Sequence, residues 1–368
     1  MVGAMPALVP ARLRLARELR GWSQADLAIR ARITPAALSQ FESGTSRPAQ
    51  ATLERLSVEL EVPSAFLDLA IEEVPEGFFR SLRRTPVVDR RRARALAQIA
   101  HDVATLAEGK IHSARTSVPR HPLRSPQSVN ADIERATSLL REEWGVPPGP
   151  IPNVVDLLEA HGVVVIRMSL DSADIDAFSL AFTDRPVIVL ASDKADRARS
   201  RFDVSHELGH LVIHGADIWG TPEVEKQAHH FASAFLMPRD QIYHELPDRV
   251  DWPKLFQLKR LWQVSLAALL MRARTLERIS EAAYLTAVKA ASARGWRRVE
   301  PVPLGPPEQP HELPRVLGSG FRPMLDRVLP KSVLDSLMLS TSIAQAPRPG
   351  GRRFEQGAFV FDDSKEGH

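Results

Sequence analysis

The chain of 368 residues contains no cysteine. Disulfide frameworks, thiolate zinc sites and cysteine nucleophiles are therefore excluded, and the absence accords with a reducing compartment. Long apolar runs are missing as well. No stretch approaches the roughly 18–20 apolar residues of a membrane span. The opening MVGAMPALVPARLRLARELRGW lacks the apolar centre of a secretory signal. The expectation is a cytoplasmic protein without a membrane partner. Net charge is only +3, but it is unevenly spread. Between residues 80 and 124, ten Arg and one Lys stand against Asp89, Asp102 and Glu108, a surplus of +8 that leaves −5 for the remainder. Such a block either meets phosphate or forms one solvated helix face. The length allows two or three domains of roughly 100–200 residues.

What is present centres on His206-Glu207-Leu208-Gly209-His210, inside RSRFDVSHELGHLVIH. Residues four apart on a helix share a face, so both imidazoles can reach one ion, with Glu207 beside them to take a proton. Phe202, Val204, Leu208, Leu211, Val212 and Ile213 predict a buried helix, stopped by Gly215. Buried His and Glu side chains need partners, and a metal satisfies all of them at once. Zn2+ held by two His and one carboxylate keeps an open position for chemistry. A metzincin would carry a third His ten residues after His206, and Ala216 stands there. The next acids are Asp217, Glu223 and Glu225. Glu225 opens VEKQAHHFASAFLMP, an amphipathic helix with Ala228, Phe231, Ala232, Phe235 and Leu236 on one side and Pro238 at its end. A carboxylate at the start of a second, antiparallel helix would complete a thermolysin-like His/His/Glu set. Asp217 stays the alternative.

Upstream, residues 8–70 form a set of short helices. Leu13, Leu15, Ala16 and Leu19 face inward on the first, which Gly21 ends. Ser23 and Asp26 make a capping box for the second, Thr34 caps a third that begins with Pro35 and closes at Gly44, and a fourth covers about 49–60. Residues 71–128 read as a basic helical connector and a Pro- and Ser-rich linker. Within it, Asp89 opens a helix that buries a stripe of Leu96, Ile99, Val103 and Leu106. Helices at 131–144 and 152–161 follow, then strands at 163–168, 178–182 and 187–190, the last two joined by a hairpin-like connection. An extended substrate could add to an exposed edge of that sheet. Two more helices occupy 251–280, and from 299 a Pro-rich linker leads to a C-terminal segment of unknown role. The fold class is mainly α with a small β-sheet (α+β).

Two resemblances sharpen this reading. WSQADLA followed by ITPAALSQFESG resembles the phage-repressor (Cro/XRE-type) helix-turn-helix. It implies that Gln24 touches a DNA phosphate, that Thr34, Ala36, Ser39 and Gln40 face the major groove, and that Arg47 holds the backbone. Such folds commonly dimerise on palindromic sites, so a homodimer is an expected assembly. Pro35 and Ala36 cannot make bidentate base contacts, which leaves base reading to Ser39 and Gln40. RFDVSHELGHLVIHG with ExxAxxFAxxFLMP resembles the ImmA/IrrE family of zinc metallopeptidases, with the likeness running from about residue 129 to 298. It implies that His206, His210 and Glu225 bind Zn2+, that Glu207 is the general base, and that the substrate is a repressor-type protein, a partner or the chain itself. Gln227 and His229 depart from that family's usual residues. His229, His230 and Tyr243 are candidates for an oxyanion donor, and His214 for a supporting role behind the ligands. The alternative is a transcriptional regulator whose zinc domain senses a ligand or metal without proteolysis.

Overall fold

The computed structural model describes residues 8–74, 86–111, 118–123, 130–169, 176–192, 196–214 and 221–342. Gly215, Asp217 and the chain beyond 342 lie outside them. The first unit comprises α1 (Pro10–Leu19), α2 (Gln24–Arg30), α3 (Pro35–Ser43), α4 (Gln50–Leu60) and a 3₁₀ turn at Ser64–Asp68. Its boundaries follow local chemistry. Ser23 and Asp26 form the capping box of α2, and Thr34 Oγ1 accepts from Ala37 N at the start of α3. Gly44 ends α3 at φ +75°, a conformation that costs an L side chain, and an added Cβ there would meet Pro10 at 3.2 Å. Inside the unit, buried Arg17 and Glu42 pair through two hydrogen bonds of 2.6 and 2.8 Å.

Helix α5 (Val87–Leu106) is a core helix rather than a surface connector. The expected stripe covers one side only, yet Ala95, Ala97, Ile99, Ala100, Val103 and Ala104 are all fully buried. Alanine is small enough for close packing on several sides, so the Ala-rich run hides its burial behind a basic start. On one side lies α1, tied by Arg12, whose guanidinium grips both oxygens of Asp102 and also donates to the Leu69 and Ala70 carbonyls. On the other side lies the sheet, so the first unit is docked onto the second through α5.

That sheet has the order β1-β3-β2, built from β1 (Val164–Met168), β2 (Ala177–Leu180) and β3 (Val187–Ala191). β1 pairs with β3 in parallel, while β2 and β3 form the expected antiparallel hairpin. Alternation sends Val164, Ile166, Phe178, Leu180, Val187 and Val189 to the face covered by α5. Val165, Ile188 and Leu190 point the other way, into a second core. Both faces are buried, which is why these strands read as unbroken apolar runs. The second face carries α7 (Val154–Ala160) and α8 (Arg197–Ile213). Behind them pack α6 (Asn130–Glu143), α9 (Pro222–Leu236), α10 (Arg239–Ile242), α11 (Trp252–Trp262), α12 (Leu266–Thr275) and α13 (Glu281–Ala293). His121 N and Leu123 N, in the described part of the linker, donate to the last carbonyls of α8, Val212 O and Ile213 O, at 2.8 and 3.0 Å.

The expected boundary at 299 cuts through packed structure. Helices α14 (Glu312–Leu317), α15 (Arg322–Leu325) and α16 (Lys331–Ser342) lie with α5 on the first face of the sheet. The strand-facing leucines could not be matched to their partners from sequence, because those partners are more than a hundred residues away. The same segment is latched by Glu159 of α7, which accepts from His311 N at 3.0 Å and Glu312 N at 3.2 Å. Burial pushes the Glu159 carboxyl up to about 7, against the pull of those amide donors. The folded chain thus keeps a proton that the unfolded chain releases near 4.5. This contribution to stability is complete below 4.5 and is lost as pH rises through about 7. Glu159→Gln keeps an acceptor for both amides without the charge. Relative to wild type it is expected to gain about 2 kcal/mol between pH 5 and pH 8, read from urea denaturation at the two values.

Candidate metal centre and nucleic-acid interface

Helix α8 begins at Asp196, whose side chain accepts from Arg199 N, and runs against β2 and α9. Thr221 caps α9, with Pro222 at its first position, so Glu225 sits in the first turn. Gly209 is what brings the two helices together. A Cβ at that position would stand 2.9 Å from the Phe231 ring, so the bare backbone of α8 faces the aromatic of α9. The antiparallel approach sets Glu225 over the two imidazoles.

His206 Nε2 and His210 Nε2 lie 3.0 Å apart, and Glu225 Oε2 is 3.2 Å from the first and 3.7 Å from the second. Ligands at the usual distances around a tetrahedral zinc ion are spaced by about 3.3 Å. The donor set therefore fits such an ion in chemistry and in span. The hydrogen bonds behind it fit as well. Gln227 Oε1 can only accept, so His214 Nε2 donates to it at 3.1 Å. His214 Nδ1 is then the acceptor facing His210 Nδ1 at 3.0 Å. His210 carries its proton on Nδ1, which leaves Nε2 as a bare lone pair toward His206 and Glu225. Burial works to raise the Glu225 carboxyl, but when both imidazoles are protonated their hydrogen bonds and charges outweigh it and hold the group well below the usual range. Burial, with the neighbouring His210, keeps His214 neutral down to about 4.

Glu207 is the residue after His206 along α8 and interacts electrostatically with both His206 and Glu225. Ser179 of β2 donates through Oγ to Glu207 Oε2 at 2.7 Å. Burial raises the carboxyl to about 7, against the pull of His206 and Ser179. A carboxylate poised near neutrality beside a metal-type donor set can take up a proton and return it. His229 lies against the ring of His206, with centroids 4.5 Å apart, and its Nδ1 donates to Glu225 O at 2.8 Å. It is half-buried, and burial, then His206, lowers it to about 4. Two expected residues go elsewhere. His230 pairs with Glu134 of α6 at 3.1 Å, in a network completed by the fully buried Arg272. Tyr243 lies beneath the guanidinium groups of Arg239 and Arg278. Ser179, Gln227 and Gly209 are the contributors that motif reading missed. The one usable signal was a single polar residue in the otherwise apolar AFSL strand.

On the first unit, Thr34, Ala36, Ser39, Gln40 and Arg47 are all exposed, on α3 and the loop after it. Thr34 is occupied as the cap of α3, and Ser46 Oγ donates to Gln40 Oε1 at 3.5 Å. Gln24 is half-buried, and its Nε2 donates to Glu42 Oε2 at 2.8 Å. That bond ties the start of α2 to the buried Arg17–Glu42 pair.

Comparison with known proteins agrees with this division. Residues 158–274 match the Peptidase_M78 family model, described as the IrrE N-terminal-like domain, and residues 13–67 match a helix-turn-helix model. The class of protein is a DNA-binding helix-turn-helix regulator with a protease-like domain. More particularly, the chain joins a Cro/XRE-type helix-turn-helix to a metallopeptidase-type domain of the IrrE/ImmA kind. No curated protein matches it. The crystal structure of ComR from Streptococcus suis is 12% identical over 90% of this chain and 87% of that one. Its TM-score is 0.16, at which the likeness carries no argument. Among the described residues no helix is long and apolar enough to cross a membrane.

Proposed function

We propose that the protein is a cytoplasmic, zinc-dependent endopeptidase that cuts a repressor-type protein, a partner or itself, and so derepresses transcription in a stress or mobile-element response. The observation that carries this reading is the convergence of His206, His210 and Glu225 at zinc-ligand spacing with Glu207 beside them. His206 and His210 would bind through Nε2 and Glu225 through Oε2. A zinc ion held there supplies Lewis acidity toward water and the scissile carbonyl. Glu207 accepts the proton of the attacking water and passes it to the leaving amine, with Ser179 fixing its carboxylate in place. His229 packs against His206 and gives its one ring proton to Glu225 O, so its neutral ring has none left for the developing oxyanion. β2 is one of the two edges of the sheet among the described residues, so an extended peptide added to it would run beside Glu207. The helix-turn-helix, reading DNA through Ser39 and Gln40 with Arg47 on the backbone, would bring the enzyme to its target.

A sensor without proteolysis draws on a different observation. The buried Arg12–Asp102 pair and the packing of α5 on the sheet link the DNA-binding unit mechanically to the metal domain. The first test is elemental analysis of wild type and Glu225→Ala purified without added metal. About one zinc per chain is expected in wild type, with most of it lost in the variant. A wild-type protein that cannot be loaded with zinc overturns the peptidase reading and leaves a regulator on a peptidase scaffold.

A further inference from the structure

A second set of metal-type donors lies away from the first, where three elements meet. Glu72 follows the 3₁₀ turn of the DNA-binding unit, His101 belongs to α5, and Asp184 lies in the β2–β3 turn. Each offers one ligand atom, and the three atoms lie within 4.8 Å of one another. We propose that Glu72, His101 and Asp184 form a second cation site, which takes a divalent transition-metal ion such as Mn2+ at the seam between the DNA-binding unit and the sheet.

The imidazole is the best-defined part of this group. Its side chain is 7% exposed and stacks on Phe182, with centroids 3.9 Å apart and planes 14° from parallel. That stacking aims Nε2 at Asp184 Oδ1, 2.6 Å away. Outside the group, the buried Nδ1 of the ring has no hydrogen-bond partner among the described residues. The carboxylates are oriented by their surroundings. Thr183 donates to both oxygens of Glu72, from its backbone N at 2.9 Å and from Oγ1 at 3.1 Å. Arg185 N donates to Asp184 Oδ1 at 2.8 Å, and Thr105 Oγ1 approaches Oδ2 at 3.4 Å. Each carboxylate oxygen has a second lone pair to offer. Two carboxylates against one imidazole leave the group negative in either state of the histidine, and a divalent cation neutralises it. One nitrogen and two carboxylate oxygens form a harder donor set than the two-histidine centre on α8, which favours Mn2+ over softer ions. Since each ligand comes from a different element, a bound ion would staple the DNA-binding tail to the hairpin whose β2 strand carries Ser179.

The test uses the full-length protein, stripped with chelator, reloaded with zinc and titrated with Mn2+ while bound manganese is followed by electron paramagnetic resonance. Wild type is expected to bind about one Mn2+ per chain, and His206→Ala/His210→Ala is expected to retain that binding at the second site. His101→Gln and Asp184→Asn are expected to bind Mn2+ at least about tenfold more weakly while keeping the zinc on α8. Asp184 lies in a turn with its side chain 41% exposed, so its variant tests the ligand with little demand on the fold. Wild type that binds no Mn2+ beyond its zinc overturns the site. So does manganese that survives both ligand substitutions but vanishes with His206 and His210. Since the arms separate the two centres, failure here leaves the peptidase reading standing.

Discussion

Glu207→Gln is expected to lower cleavage of a repressor-type substrate by about 10²–10⁴-fold, the usual contribution of a positioned general base. Zinc content and DNA affinity are expected to stay at wild-type level. The substitution is nearly isosteric, and the Ser179 hydroxyl at 2.7 Å can still donate to an amide oxygen, so the local fold is kept. What is lost is a group able to accept a proton. Glu207 is a neighbour of the proposed ligands and not one of them, which is why metal binding separates from turnover. The measurement is cleavage of a repressor-type protein on a gel, beside elemental analysis and DNA binding of the same preparation. Full cleavage by a zinc-loaded Glu207→Gln protein would remove Glu207 from the chemistry. A variant whose regulation of transcription is also unchanged would favour the sensor reading.

The parts of this centre that sequence reveals are those within one helix or at its ends. His206 and His210 are legible because four residues make a helical turn, and the capping box of α2 and the Thr34 cap of α3 because a cap lies beside what it caps. Support from another element leaves little trace. Ser179 reaches Glu207 across 28 positions, and only the β2–β3 register shows that its side chain faces α8 while Phe178 and Leu180 face α5. Gln227 looked like a departure from the family pattern, yet it is the acceptor that fixes the His214 and His210 tautomers. His230 went wrong for the opposite reason. It adjoins His229 in the chain, but on α9 the next residue turns away, toward Glu134 and Arg272. The fold shows the same division, since individual helices and strands are readable but the partners of α5 are not.

Ending the chain at residue 298 is expected to abolish stable folding, although the sequence presents everything beyond as an appendage. Among the described residues, seven buried apolar side chains would go: Leu313, Val316, Leu317, Leu325, Leu329, Leu334 and Leu337. At about 1.5–3 kcal/mol each their loss alone is comparable with the whole stability of an ordinary domain, about 5–15 kcal/mol. The electrostatic consequence points the same way. Glu308, with a side chain 1% exposed, pairs with Arg201 and accepts from Val154 N at 2.9 Å and Val155 N at 3.3 Å. Its own carbonyl accepts from Arg167 Nε at 2.9 Å. Without that strap, Arg201 and Arg167 would be left as buried cations at the start of α8 and in the sheet beside it. Removing one partner of a buried pair typically costs about 3–5 kcal/mol. Glu308→Ala isolates the Arg201 part of this second term, because it keeps the leucines and the backbone carbonyl that holds Arg167 and removes only the carboxylate. It is expected to fold with a urea midpoint lowered by that amount of stability, whereas the 1–298 chain is expected to be insoluble or unfolded by circular dichroism. A chain ending at Ser342 keeps every one of these contacts and is expected to unfold at the wild-type midpoint. If the 1–298 chain also unfolds there, the segment adds nothing to the fold, and the role of Glu308 at the base of the metal helix falls with it.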